Sequence, residues 1–206
     1  MQTKIFKFEI QRKTFHLYSL IIPLFYLFSS KLVVTTLLFL LTACVLYIDI
    51  ARHYNLHVKK FTDRFFTKFM RPEEQSGSFR LSGGSFMAIG FFLTALLFSK
   101  GLAISSWLIL IIADCLAALV GTKIGKPLEN GKSLEGSIAF LISAIFISML
   151  VYFFIGYHTS FTVIIISSVV TTIGEFYAKE LLINDNLLIP LTYCFSTIIF
   201  TFILGL

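Results

Sequence analysis

Seven long apolar runs, separated by short connections that hold almost all the charge, constrain this chain more than any other feature. They lie at about 15–30, 32–50, 81–98, 102–120, 138–156, 161–178 and 187–206. Each is close to the roughly 20 residues a helix needs to cross the hydrocarbon layer of a bilayer. In 206 residues, about seven such spans leave no room for a second folded domain. Residues 1–206 are therefore expected to form a single integral membrane domain, an all-α polytopic transmembrane helical bundle. Composition agrees: hydrophobic residues make up 57% and charged residues 14%, against roughly 45–50% and 25% in soluble domains. A water-soluble globule is excluded.

The basic residues test this division independently of hydropathy. Lys4, Lys7, Arg12 and Lys13 precede the first run, and Arg52, Lys59, Lys60, Arg64, Lys68, Arg71 and Arg80 follow the second. Lys123, Lys126 and Lys132 follow the fourth run, and Lys179 follows the sixth. Only Lys31 and Lys100 fall on the opposite side, which leaves 15 of the 17 on one face. By the positive-inside rule that face is cytoplasmic, with the N-terminus inside and the C-terminus outside. The net charge of +6 then reads as orientation and phosphate affinity, with no nucleic-acid partner expected. Glu9 interrupts the basic N-terminal stretch, and no small-residue cleavage pattern follows the run from Phe15, so an uncleaved first span is expected. Cys44, Cys115 and Cys194 sit singly in apolar runs and imply neither a disulfide framework nor a zinc site.

Between the second and third runs, Tyr54, Val58, Phe61, Phe65 and Phe69 recur every three or four residues among Lys59, Lys60, Arg64 and Lys68. This pattern predicts an amphipathic helix lying along the headgroups. His53 and His57 share its spacing but lack a carboxylate at metal-ligand distance in sequence, so they are read as interfacial.

The most informative single residue is Asp114. A carboxylate near the centre of a span costs at least about 2.5–3.5 kcal/mol and persists there mainly for function. Ala113, Ala117 and Gly121 form a small-residue stripe beside it, open to close approach by another helix or a ligand. Directly after comes Gly121-Thr-Lys-Ile-Gly-Lys-Pro-Leu-Glu-Asn-Gly-Lys-Ser-Leu-Glu-Gly-Ser137, rich in glycine and lysine, with a helix starting near Ser133. Glycines admit phosphate oxygens to the backbone, lysines supply charge, and a helix start favours an anion. Asn130-Gly131 predicts a tight turn, and the loop is no Walker motif. Asp114 and Glu135 bracket it with carboxylates suited to Mg²⁺ or to accepting a proton, as phosphoryl transfer requires. Two further clusters point to the same side: Glu9, Arg12, Lys13 and His16 on one helical face, and the stripe Ser168, Thr172, Glu175, Lys179, followed by Asp185, Asn186 and Pro190. The polar stripe within an apolar helix argues for a wet or polar cavity at Glu175 over a plain i,i+4 pair with Lys179.

These residues resemble the membrane-bound CTP-dependent kinases of polyprenols, phytol and diacylglycerol, dolichol kinase among them. Asp114-Cys-Leu-Ala-Ala-Leu-Val-Gly121, Gly125-Lys126 and Lys132-Ser-Leu-Glu-Gly-Ser137 resemble the central elements D-x-x-A-A-x-x-G, G-K and K-S/T-x-E-G-S in order. Glu9-x-x-Arg12-Lys13-x-x-His16 resembles the N-terminal element. Arg71 with Glu74, Ser82-Gly83, and Glu175 with Asp185-Asn186-Leu-Leu-Ile-Pro190 resemble weaker ones. Ala113 stands where the family commonly has Gly, and Pro127 follows Gly-Lys directly. Compact prokaryotic members are the nearer comparison.

The resemblance implies a lipid kinase of the prokaryotic inner membrane. It would transfer the terminal phosphate of CTP, with Mg²⁺, to the hydroxyl of a membrane lipid alcohol at the cytoplasmic leaflet. Carried over, it makes Asp114, Glu135 and His16 catalytic candidates and Asp114, Glu135, Glu175 and Asp185 metal candidates. Gly121, Gly125, Lys126, Lys132, Ser133, Gly136, Ser137, Arg12 and Lys13 become nucleotide contacts. A CTP-using lipid cytidylyltransferase and a small transporter or flippase are the alternatives.

Overall fold

The computed structural model describes residues 12–14, 16–66, 79–157 and 159–205. The expected roles of Glu9, Lys68, Phe69, Arg71 and Glu74 fall outside them. Among the described residues the chain is helical, with no strand. The helices are α1 (Ile21–Phe28), α2 (Lys31–Tyr54), α3 (Leu56–Phe66), α4 (Gly83–Leu97), α5 (Lys100–Lys123), α6 (Leu134–Ile155), α7 (Phe161–Phe176) and α8 (Asp185–Ile203). Four of them, α2, α5, α6 and α8, are long and apolar enough to cross a membrane. The shorter α4 and α7 are equally apolar.

Polar residues at the run boundaries set the starts. Ser30, Ser82, Ser133, Ser160 and Asn184 each accept a backbone N–H from the first turn of α2, α4, α6, α7 and α8, satisfying a donor that the helix leaves open. Gly156, at φ +68°, ends α6. The first run departs from an unbroken span. Residues 16–18 are helical, a turn occupies Ser19 and Leu20, and α1 starts only at Ile21. Pro23 explains the break, because it has no N–H to give the Ser19 carbonyl and its ring crowds that oxygen; Ile22 N–H bonds there instead, at 3.0 Å. The interfacial helix is likewise split from α2 at Asn55, whose Oδ1 accepts the His57 N–H at 2.8 Å. Phe61 and Phe65 are exposed on α3 beside Lys59, Lys60 and Arg64, as a headgroup-level helix requires.

The bundle is organised around α5, two-thirds of which is buried. Helices α1, α4, α6 and α8 pack on it, α7 lies between α6 and α8, and α2 packs on α4. Trp107 of α5 stacks between Tyr26 and Phe91 and donates to Thr94 Oγ1 at 2.6 Å. Outward faces carry bare apolar side chains such as Phe28, Phe154 and Phe202, which suits lipid contact.

At one end, Lys31 Nζ donates to the Phe98 carbonyl at 2.7 Å, and Lys100 Nζ to the Leu27 and Ser29 carbonyls at 2.8 and 3.1 Å. The two lysines that break the charge asymmetry thus share one end. There they satisfy carbonyls at the C-terminal ends of α1 and α4.

Candidate functional site

The site is built on an irregularity of α5. Residues Ile109–Ala113 form a π-helical turn, and the Asp114 N–H bonds to the Ile109 carbonyl, five residues back. Such bulges widen and rotate the backbone locally and recur at functional sites. Asp114 follows the bulge directly and is buried. Its carboxylate forms a tight ion pair with Lys13, whose side chain is equally buried. Burial pulls the Lys13 ammonium below the ordinary lysine range, and the Asp114 charge offsets this only in part.

A second pair lies nearby. Lys132, from the loop between α5 and α6, bonds to Glu175 near the end of α7. Burial disfavours the Lys132 charge, but Glu175, Asp185 and Asp114 outweigh it and hold the ammonium above the ordinary lysine value. The pairs are not independent. Asp114 is within electrostatic reach of Lys13, Asp185, Lys132 and Arg12, and Glu175 of Lys132, Asp114 and Asp185. His16, also buried, is within electrostatic reach of Lys13, Asp114, Arg12 and Asp185. Seven expected site residues, Arg12, Lys13, His16, Asp114, Lys132, Glu175 and Asp185, therefore come from five separated stretches of chain into one charged cluster.

Glu175 takes Lys132 as its partner rather than Lys179. Helix α7 ends at Phe176, so Lys179 lies in the following turns, exposed, and the i,i+4 relation does not hold. Ser168, Thr171 and Glu175 share the buried face of α7.

The glycine-rich loop has a different internal logic from a simple cradle. A Cβ on Gly125 would lie 2.3 Å from Ser133 Oγ and 2.6 Å from the Gly121 carbonyl, and one on Gly136 would lie 2.8 Å from the Ala117 carbonyl. Gly121, Gly125 and Gly136 thus let the end of α5, the loop and the start of α6 close around Ser133, which caps α6. Asn130 pins the loop to the bundle, donating to the Phe176 carbonyl at 3.0 Å and accepting from Lys132 N–H at 3.0 Å. Lys132 is thereby aimed at Glu175. The expected turn is present, with Leu128 and Lys132 bonded across Gly131 at φ +83°. Lys126 is exposed, and its N–H meets Glu135 Oε2 at 3.3 Å. Ser137 Oγ is buried without a hydrogen-bond partner.

Beside the cluster, an apolar cavity of about 390 Å³ opens between α1, α2, α3 and α4. Arg12, His16 and Asn186 contribute polar groups to its lining. Asp49 and Arg52 also line it, and their pairing was not foreseen. Arg52 Nε donates to Asp49 Oδ1 at 2.5 Å, and Ser82 N–H and Ser85 Oγ donate to Asp49 Oδ2 at 2.6 and 2.7 Å. The test that singled out Asp114, a carboxylate within an apolar run, applies equally to Asp49. Its place at the end of a run beside Arg52 made it look like flanking charge.

Asn186 was visible only as part of a short motif. Its position follows from Pro190, which leaves the Asn186 carbonyl without its helical donor. Gly90 of α4 packs onto that carbonyl, at 3.0 Å from where a Cβ would stand, and Asn186 Nδ2 donates to the Gly83 carbonyl at 2.8 Å.

The chain is 57% identical over 204 residues to the uncharacterized protein RP860 of Rickettsia prowazekii (strain Madrid E), covering 99% of this chain and 100% of that protein. It is 27% identical over 191 residues to the uncharacterized protein MJ1137 of Methanocaldococcus jannaschii, covering 91% of each. No family model matches the chain, and no solved structure matches it.

Proposed function

The chain belongs to the family that includes the uncharacterized protein RP860 of Rickettsia prowazekii, and for this member we propose transfer of the terminal phosphate of CTP to the hydroxyl of a membrane lipid alcohol. The observation that carries the reading is the convergence of Lys13, Asp114, Lys132, Glu175 and Asp185 on one buried cluster next to an apolar cavity. Phosphoryl transfer asks a protein for cationic positioning of the phosphates, carboxylates, and an acceptor held in line. Lys132 and Lys13 supply the first, Asp114, Glu175 and Asp185 the second, and the cavity the third. In the reaction the bond from the terminal phosphorus to its bridging oxygen breaks, leaving CDP. A bond forms from phosphorus to the lipid oxygen, and the hydroxyl proton passes to a carboxylate of the cluster.

Among the described residues, no three His, Cys, Asp or Glu side chains form a ready metal cage. A magnesium ion that keeps several waters and uses one or two carboxylates together with substrate phosphates needs none. The donor set fits on that basis, with Asp114 and Asp185, which sense one another's charge, as holders, and the ion would neutralise phosphate charge there. The seven-span topology, with the N-terminus and the charged cluster at the cytoplasmic face of a prokaryotic inner membrane, belongs to this same reading.

The test uses purified protein in detergent, a lipid extract and CTP labelled on its terminal phosphate. Labelled lipid phosphate is expected, and Asp114→Asn should lose it while still inserting normally. Undiminished transfer in that variant would refute the site. Label carried into lipid from the cytosine ring would mark a cytidylyltransferase, and lipid or solute flux in proteoliposomes without nucleotide would mark a carrier.

A further inference from the structure

We propose that the cavity between α1, α2 and α4 is the acceptor site, seating a single-chain lipid alcohol whose hydroxyl is held between His16 Nδ1 and Asn186 Oδ1. The identity of the reacting group rests on the phosphotransfer reading; the cavity and its polar groups do not. The walls are apolar along Ile22, Leu38, Leu41, Val45, Met87 and Phe91. At 390 Å³ the space takes on the order of a dozen methylene-sized groups, each close to a water's share of about 30 Å³. That is the head end of one chain; two chains side by side would need about twice the room.

His16 is 4% exposed and Asn186 2%, both line the cavity, and among the described residues neither His16 Nδ1 nor Asn186 Oδ1 has a hydrogen-bond partner. A buried polar atom left so is costly, and a bound ligand would lift that cost. The ligand's chemistry follows from the atoms. Asn186 Nδ2 is already donating to Gly83, so the free atom is the oxygen, which only accepts. A hydroxyl donates once and accepts as well; it therefore satisfies Asn186 Oδ1 and takes the Nδ1–H of His16. A carboxylate or an ether has no proton to give Asn186. Asp49, bound by Arg52, Ser82 and Ser85, does not compete. His16 is within electrostatic reach of Asp114 and Asp185, so a hydroxyl held there lies on the side of the charged cluster, and on transfer its proton leaves Asn186 Oδ1 for a carboxylate of that cluster.

The experiment measures binding apart from turnover. A sixteen-carbon alcohol carrying a mid-chain diazirine is photolysed with the full chain in nanodiscs, and labelled peptides are located by mass spectrometry. Labelling is expected on α2 and α4 around Val45 and Met87. Unlabelled alcohol of the same chain should compete at least tenfold better than its methyl ether, its carboxylic acid or dioleoylglycerol. Asn186→Leu should abolish the preference for alcohol over ether, and Ala88→Trp, which fills the cavity from α4, should abolish labelling. Equal competition by alcohol and ether in the wild-type protein would overturn the proposal without any variant, and so would unchanged labelling in folded Ala88→Trp. Saturable, alcohol-selective labelling with no lipid phosphate from any nucleotide would sink the phosphotransfer reading and leave the cavity assignment standing. Lipid phosphate formed without selective labelling would do the reverse.

Discussion

Lys13 and Asp114 form an energetically expensive buried pair. Both are nearly without solvent contact, and removing one partner of such a pair typically costs about 3–5 kcal/mol, whereas replacing both with apolar groups is often neutral or stabilising. Lys13→Met is therefore expected to lower unfolding stability in mixed micelles by about 3 kcal/mol, and Lys13→Met with Asp114→Leu to return it to within about 1 kcal/mol of wild type while abolishing phosphotransfer. A single variant as stable as wild type would mean that the pair is not formed in the bilayer. Lys132 is the contrasting case. Its side chain is 28% exposed, so water reaches the pair, and Lys132→Ala should cost less stability than Lys13→Met while still impairing nucleotide use, read as a raised KM for CTP. Asp114, Lys132 and Glu175 were legible as chemistry-bearing residues because charge within or beside an apolar run is costly wherever it falls. Their pairing was not, because Lys132 reaches Glu175 from a separate loop, a contact that no local spacing encodes.

Helix α5 carries the feature that periodicity could not supply. A helical wheel advances by a constant angle per residue, and the five π-helical residues before Asp114 break that advance, so the face occupied by Trp107 does not continue in register to Asp114. No local signal marks Ile109–Ala113, which is uniformly apolar. At the α5–α6 junction, the space a side chain would take at Gly125 and Gly136 is already filled by Ser133 and by backbone carbonyls. Gly125→Ala and Gly136→Ala should each cost about 1–3 kcal/mol, the usual cost of overpacking, seen as a lower Tm in detergent. Gly174→Ala meets only ordinary contacts at 3.6 Å and beyond within α7. It should be neutral or raise stability by up to about 1 kcal/mol through helix propensity. Equal losses at all three positions would show that the junction is not specially close.

Across the whole bundle, Lys31 and Lys100 stand at the end opposite Arg52, as the span of α2 from Lys31 to Tyr54 requires. Lys31 and Lys100 occupy one end through their carbonyl contacts. Arg52 reaches the Arg80 carbonyl at 2.9 Å, joining the far end of α2 to the approach to α4. With the proposed orientation, a cysteine at Ser30 in a background lacking Cys44 should react with a membrane-impermeant maleimide in intact cells, and one at Lys59 only after lysis. The opposite pattern would invert the topology and put the cluster outside. The all-helical class, the positions of the apolar runs, their serine and asparagine caps and most of the charged groups at the site follow from the chain alone, because desolvation and backbone satisfaction act on each segment wherever its neighbours lie. Which lysine meets which carboxylate, the rotation before Asp114 and the cavity beside His16 and Asn186 are decided by packing around α5. They depend on contacts between segments distant in sequence, which no local pattern encodes.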